Sequence, residues 1–571
     1  MSDQATLPRL FLAQAAARGD AAAMRSKKNG AWLPVSWREW ERRARCAAAR
    51  LVEAGVEPGD RVAIFGNTRE EWMVADLAGL MAGAATVPIY PSLVGEQAAY
   101  ILADSGARVL IAEDASFVQR VAAHDAGVVE RLTRTWLFGE MPQGDPPPDL
   151  ARQVDERIAA AAPSDLATLV YTSGTTGPPK GAMLTHGNIV SEVSALDGLL
   201  PLGPDDEQLL FLPLAHIFGR VLVAMQYEVG YSTAIAESLL KALDNAAEVN
   251  PTFMGCVPRL YEKVYAVANE KAASAGGTKE RLFRWATEAG KRKAGGVGGW
   301  VADKLVLSKI RARFGTRLKF AISGGAPLAK DLAEWFEGAG LLVLEAYGLT
   351  ETTGGTTINT IAKHRFGTVG PPVPGVEVRI ANDGEILVRG PTVMRGYWNR
   401  EPETREVIDA EGWFHSGDIG EFDADGCLRI TDRKKDIIVT AGGKNVAPQN
   451  VENLLKQSGW ISQAMVHGDR RPYLVALVTL NAETASRFAR DHGKPDDVTK
   501  LADDAEVRAA VEREIAAVNG RLSSFESVKR FAILPKDFTI DGGELTPTLK
   551  VKRKVVSERY RATIDGLYDE R

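Results

Sequence analysis

The sequence is poor in the residues that build metal clusters and disulfide frameworks: 571 residues include three cysteines and seven histidines. Cys46, Cys256 and Cys427 stand far apart without metal-ligand spacing, which argues against a disulfide scaffold or a zinc site and predicts the reduced thiols of an intracellular protein. An excess of charge of one sign is also missing. With 69 Lys and Arg against 74 Asp and Glu, the net charge is −5, which argues against a surface that wraps nucleic acid and favours small-molecule chemistry. Long apolar runs are absent as well. The first twenty residues lack the basic start and apolar core of a signal peptide, and the most apolar stretch, 77–89, is interrupted by glycine and is shorter than the roughly 20 residues a bilayer span takes. The expectation is a cytoplasmic protein, with peripheral attachment at the inner membrane face left open and either a monomer or a homodimer.

What the chain does have is length, and single cores stop growing near roughly 250 to 300 residues, so at least two domains are expected. From Gly59 strand-like and helix-like segments alternate: "RVAIFG", "REEWMVADLAGLMAG", "ATVPIY", "VGEQAAYILADSG", "RVLIAE". That βαβαβ order predicts an α/β fold with a doubly covered, largely parallel sheet. A later unit, "LATLVYT", runs into a glycine loop and then into a helix that Thr185 could cap. After "DRKKD" the pattern changes to a small α+β unit of about 135 residues. The expected division is 1–432, a nucleotide- and substrate-binding domain, and 433–571, a smaller mobile domain. Between Lys271 and Lys319 lies a helical, Gly-interrupted, basic segment. It reads either as a solvated charged surface or as a docking surface for an anionic ligand or lipid headgroups.

The glycine loop reads "YTSGTTGPPKG". Backbone N–H groups, the hydroxyls of Ser173, Thr175 and Thr176, the glycines Gly174 and Gly177, and Lys180 are anion-binding parts. The Walker pattern fails, because Lys180 is followed by Gly181 instead of Ser or Thr. The Mg²⁺ ligand must then come from elsewhere. Downstream companions supply what a nucleotide needs: "SGGAPL", "LEAYGLTETTGG" with Glu351, "GWFHSGDIG" with Asp418, and "ITDRKKDIIVTAGGKNV" with Arg433. They offer a purine platform, a carboxylate for a ribose diol, a carboxylate for Mg²⁺ and cations for phosphates.

In order and spacing these motifs resemble the adenylate-forming superfamily. "VPRLYEKVY" and "LTPTLKVKRK" are similar to its AMP-forming long-chain fatty acyl-CoA synthetases. The resemblance implies ATP, Mg²⁺ and CoA as cofactor and co-substrates and a fatty acid as substrate. It makes Thr172 to Lys180 the loop over the β- and γ-phosphates, with Thr172 beside the metal. Gly325, Ala326, Pro327, Tyr347 and Gly348 would hold adenine, and Thr350 the α-phosphate. Glu351 would ligate Mg²⁺, Asp418 the ribose, and Arg433 ribose or phosphate. His216 would stand near the carboxylate, Lys435 would be the pivot, and Gly442 and Gly443 would line the thiol passage after rotation. Aligning on Thr548 makes Lys552 the catalytic lysine, with Lys550 in reserve. By themselves, His216 reads as a core histidine, Tyr347 as a core aromatic and Asp418 as a turn cap.

The expected activity is formation of acyl-AMP from a long-chain fatty acid with release of pyrophosphate, then transfer to CoA. An aryl- or medium-chain acyl-CoA ligase, an acyl-AMP ligase loading a carrier protein, and a non-catalytic nucleotide-binding regulatory protein are the alternatives.

Overall fold

Short apolar strands feeding amphipathic helices build the larger part of the chain as stacked α/β layers. The computed structural model describes residues 5–569 apart from 143, 173–177, 294–295, 541 and 547–549. A six-stranded sheet runs in the order Arg134–Leu137, Val109–Ala112, Arg61–Phe65, Ala85–Ile89, Leu166–Thr172, Lys180–Thr185. All its pairings are parallel except the last. An eight-stranded sheet is parallel through its middle, from Val343–Tyr347 through Phe320–Ser323, Phe253–Cys256, Glu207–Leu210 and Ser232–Ile235 to Ala22–Lys28, with an antiparallel strand at each end. Their central strands, such as Arg61–Phe65, Ala85–Ile89, Val109–Ala112, Phe253–Cys256 and Phe320–Ser323, are largely buried apolar runs, as in sheets covered on both faces. The expected largely parallel, doubly covered α/β fold is present.

The structure departs from expectation at the glycine loop. Lys180–Thr185 is a strand antiparallel to Leu166–Thr172, with Ala182 and Leu184 buried, so a strand and not a helix follows the glycine-rich stretch. The helix comes one strand later, at His186–Asp197. Thr185 does cap it: Asn188 N–H donates to Thr185 Oγ1 at 3.1 Å, and Thr185 N–H donates to Asn188 Oδ1 at 2.8 Å.

A four-stranded antiparallel sheet, Glu377–Ile380, Glu385–Arg389, Phe414–Phe422 and Leu428–Arg433, closes the large unit. Lys434 to Asp436 form the turn that follows. Beyond it a separate apolar core starts at Ile438 and is built on the three-stranded sheet Ile461–His467, Leu474–Leu480 and Val528–Leu534 with the helices Pro448–Leu455 and Ala505–Asn519. The two units meet largely through polar groups. Arg259 donates from both terminal nitrogens to Ser462, at 3.1 Å each; Arg487 pairs with Glu270, and Arg521 with Asp331. No helix among the described residues is long and apolar enough to cross a membrane.

Candidate active site

The candidate site lies where the two units face each other: Lys550 of the smaller unit is within charge range of Arg433, Asp418 and Glu351 of the larger one. Asp418 lies within the strand Phe414–Phe422, so it does not cap a turn as its sequence context allows. Gly417 before it takes φ +69°, and a register irregularity falls at Ile419–Gly420, which locally twists the strand. The Asp418 carboxylate is 5% exposed. Its Oδ2 accepts from the Tyr347 hydroxyl at 2.8 Å, and its Oδ1 pairs with Arg433 Nε at 2.9 Å. Burial first, and then the Asp418 charge, hold the Tyr347 phenol well above its ordinary range, so it stays a donor.

Glu351 sits in a 3₁₀ turn, Thr350–Thr352, directly after the Tyr347 strand. Its Oε1 accepts from the Tyr397 hydroxyl at 2.8 Å, and Lys180 Nζ lies 5.2 Å from the centroid of the Tyr397 ring. Tyr397 therefore links the glycine-loop lysine to the expected metal carboxylate. Sequence reasoning missed it; the only signal was an aromatic residue in the polar run "MRGYWNR". Thr172, opposite Lys180 on the partner strand, directs its hydroxyl to the Lys180 carbonyl at 3.5 Å. Ser173, Gly174, Thr175, Thr176 and Gly177 lie outside the described residues.

Gly325, Ala326 and Pro327 form an exposed loop after the strand Phe320–Ser323, with Gly325 at φ +81° and open space where its Cβ would be. Gly348 has a different reason for lacking a side chain. A Cβ there would stand 2.1 Å from the Gly354 carbonyl oxygen, so glycine lets the 348–355 loop fold back on itself.

His216 is half-buried at the N-cap of the helix Ile217–Val229. Its Nδ1 accepts the Phe218 N–H at 3.1 Å, and its pKa is pushed down to about 4 by burial and then by the Lys550 charge. The ring is neutral at working pH, and with Nδ1 used as an acceptor the proton sits on Nε2. The helix it caps is anchored by a buried pair, Arg220 to Asp76 at 2.7 Å, with Arg220 also donating to the hydroxyls of Thr86 and Thr168 on the six-stranded sheet. The same helix carries Phe218, whose ring lies 3.2 Å from the Cβ position of Gly255 and 3.3 Å from that of Gly324. Two adjacent strand ends thus leave a side-chain-free wall beside apolar Leu212 and Leu222.

The lysines of the smaller unit are sorted by its backbone. Thr546 N–H donates to the Lys550 carbonyl at 2.8 Å, and Lys550 N–H to Thr546 Oγ1 at 3.0 Å, which ties the two residues together. Lys550 lies within charge range of Arg433, Asp418 and Glu351. It keeps contact with solvent, yet enclosure lowers its pKa to about 8, Arg433 adds to the fall, and Asp418 and Glu351 oppose it. Lys552, expected as the catalytic lysine, does not join this group: its backbone N–H donates to Glu544 at 2.7 Å, and it is the N-cap of the helix Arg553–Arg559. The reserve residue, Lys550, is the one whose charge interacts with Arg433, Asp418 and Glu351.

Lys435 is exposed in the turn after Arg433. Gly442 and Gly443 occupy an exposed turn of the smaller unit, where the nearest atom to a Gly442 Cβ is Thr440 Oγ1 at 4.0 Å.

The residues present fit a divalent cation that arrives with its nucleotide. No group of three or more His, Cys, Asp or Glu side chains among the described residues could hold a metal by itself. A hard cation held through one carboxylate, which Glu351 could supply, would take its remaining oxygen ligands from phosphate and water.

Comparison with known proteins agrees with this geometry. Residues 11–398 match the family described as AMP-binding enzyme, and residues 435–571 match the AMP-binding enzyme C-terminal domain. The chain is 42% identical over 565 residues to the long-chain-fatty-acid–CoA ligase FadD15 of Mycobacterium bovis, covering 95% of this chain and 93% of that protein. It is 33% identical to the long-chain-fatty-acid–CoA ligase ACSBG2 of Xenopus laevis, covering 100% of this chain and 85% of that one. Among solved structures, the adenylation domain of a carboxylate reductase from Mycobacterium chelonae superposes with a TM-score of 0.77 at 23% identity, covering 99% of this chain and 91% of that one.

Proposed function

This chain belongs to the AMP-binding enzyme family, and from that premise we propose that it is an AMP-forming long-chain-fatty-acid–CoA ligase. The observation that carries the reading is the convergence, on one cleft, of cations from both units with Glu351 and the paired Asp418 and Arg433. The curated relatives that match along nearly the whole chain bear the same activity in their names, which favours this reading over the aryl, carrier-loading and non-catalytic alternatives.

In the first half-reaction a carboxylate oxygen of the fatty acid bonds to the α-phosphorus of ATP as the bond to the bridging oxygen breaks and pyrophosphate leaves. Two anions must approach, so charge neutralisation dominates the barrier. Lys550 supplies the small-unit cation and Lys180 the cation of the glycine loop. Asp418 holds the ribose hydroxyls, oriented by Tyr347 and Arg433, while 325–327 form the adenine platform. Glu351 and Thr172 would hold Mg²⁺, which when bound offsets phosphate charge and polarises the phosphoryl oxygens. His216, neutral and donating from Nε2, binds the carboxylate oxygen that becomes the acyl carbonyl. Gly255 and Gly324 give the alkyl chain room beside Phe218, and each fully buried methylene contributes about 0.8 kcal/mol.

In the second half-reaction the CoA sulfur bonds to the acyl carbon, the carbon–oxygen bond to AMP breaks, and the thiol proton passes to solvent. The reading assigns this step to a rotated smaller unit pivoting at Lys435, with Arg433 kept on the last strand of the large unit, the turn 434–436 as the hinge, and Gly442 and Gly443 facing the pantetheine arm. A largely polar interface between the units supports such mobility.

The deciding experiment is pyrophosphate release from ATP and Mg²⁺ with palmitate, benzoate or acetate, each with and without CoA. Palmitate-dependent release, with acyl-CoA formed when CoA is present, is expected. Release with benzoate alone, or none with any acid, would overturn the reading.

A further inference from the structure

The basic segment left open by the sequence folds as a helical arm that the reaction does not use. The helix Gly277–Lys291 leads to Gly296–Ala302, then to a π-helical turn, Asp303–Leu307, and to Ser308–Arg311. Its root is fixed: a Cβ on Gly290 would meet the Gly338 carbonyl oxygen at 2.2 Å, so this helix lies directly against Lys330–Gly338 of the body.

The far side of the arm is unusual. Val297 is 80% exposed, Trp300 61%, Trp285 44% and Leu305 43%, a cluster of large apolar side chains that soluble surfaces seldom show together. Val297, Trp300 and Lys304 follow at i, i+3 and i+7, one helical face, with Lys304 Nζ 4.8 Å from the Trp300 ring centroid. Trp285 joins them across the helix pair, its Cζ2 lying 4.0 Å from the Cβ position of Gly298. Residues 277–313 contain ten Lys and Arg against three Asp and Glu, in a chain whose net charge is −5. Arg284, Arg292 and Arg311 pair with the arm's own carboxylates, Glu280, Glu288 and Asp303. Arg281, Lys291, Lys304, Lys309 and Arg313 are exposed and make no ion pair among the described residues.

We infer that this arm docks the protein on an anionic lipid surface, with Trp285, Val297, Trp300 and Leu305 entering the interface and the unpaired cations lying over the headgroups. Charge complementarity selects that occupant: an apolar ridge ringed by uncompensated cations matches the boundary between acyl chains and anionic headgroups. Tryptophan beside a lysine whose stem can lie along the apolar zone is the interfacial pairing. Four large apolar side chains left 43 to 80% exposed suit insertion better than capture of a peptide. This inference does not rest on the assigned reaction.

The test is flotation of the full-length protein with phosphatidylcholine vesicles and with vesicles containing phosphatidylglycerol, at low and high salt, followed by tryptophan emission. Binding to the anionic vesicles at least about tenfold stronger than to the neutral ones, weakened by salt and accompanied by a blue shift, is expected. Val297→Ser/Trp300→Ser and Lys304→Gln/Lys309→Gln should each reduce it about fivefold or more with unchanged Tm and gel-filtration profile. Equal binding to both vesicle types, no binding to either, or unchanged binding in both paired variants overturns the inference. A dimer that Val297→Ser/Trp300→Ser dissociates, with no vesicle binding, would make the face a self-association surface and overturn it equally.

Discussion

Asp418 and Arg433 stand opposite each other on neighbouring antiparallel strands, and their side chains close a 2.9 Å ion pair at the last rung before the chain leaves the large unit. One rung thus joins the expected ribose acid to the residue that precedes the hinge turn. Asp418→Asn keeps the shape but loses the charge that orders Arg433 and Tyr347. The KM for ATP should rise about tenfold or more, whereas Tyr347→Phe, which removes one hydrogen bond, should raise it only about three- to tenfold. Steady-state pyrophosphate release at varied ATP measures both.

Lys550→Ala should slow acyl-AMP formation by about two to three orders of magnitude, while Lys552→Ala stays within a few-fold. The pH profile gives a second readout. The Lys550 ammonium is the active form and its pKa is lowered to about 8, so kcat/KM for adenylation should be full below that value and fall as pH rises through it. Lys550→Arg, charged throughout the range, should remove the alkaline fall whatever its maximal rate. An unchanged profile would count against the assignment.

Tyr397→Phe leaves the ring under Lys180 but removes the donor to Glu351 Oε1. The Mg²⁺ concentration for half-maximal pyrophosphate release should shift by about three- to tenfold, with the KM for fatty acid unchanged. A titration of Mg²⁺ at fixed ATP checks it.

Gly442 lies in an exposed turn where an added Cβ meets nothing closer than 4.0 Å, so a larger residue whose side chain points to solvent should fold. Gly442→Trp should leave acyl-AMP formation near the native rate and lower thioester formation at least about tenfold. Equal loss in both half-reactions would contradict the proposed rotation.

His186 is buried, and its Nδ1 accepts the Leu7 N–H at 3.4 Å. Burial pushes its pKa down to about 4, against about 6.5 in an unfolded chain. Between those values the unfolded state binds a proton that the folded state refuses, so stability falls as pH drops from about 6.5 towards 4, by at most about 3 kcal/mol from this residue. His216 acts in the same direction. Denaturant unfolding at several pH values, with His186→Gln as the comparison, should show a shallower acid slope in the variant.

The sequence by itself determined the α/β class, the Thr185 cap and the ordered motifs of an adenylating site, because periodicity, capping chemistry and glycine placement act over a few residues. It also carried the charge of the 277–313 arm. Only the tertiary structure decided the rest. Lys180–Thr185 became a strand and not the start of a helix because Leu166–Thr172 lies beside it as a partner, and Asp418 became a site carboxylate because Tyr347 and Arg433 arrive from other strands. Tyr397, 46 residues from Glu351 along the chain, had no local mark of its role. Lys550 and Lys552 are chemically the same residue two positions apart. Hydrogen bonds tie Lys550 to Thr546 within charge range of Asp418 and Glu351 and leave Lys552 at the start of a helix, and no composition records that difference.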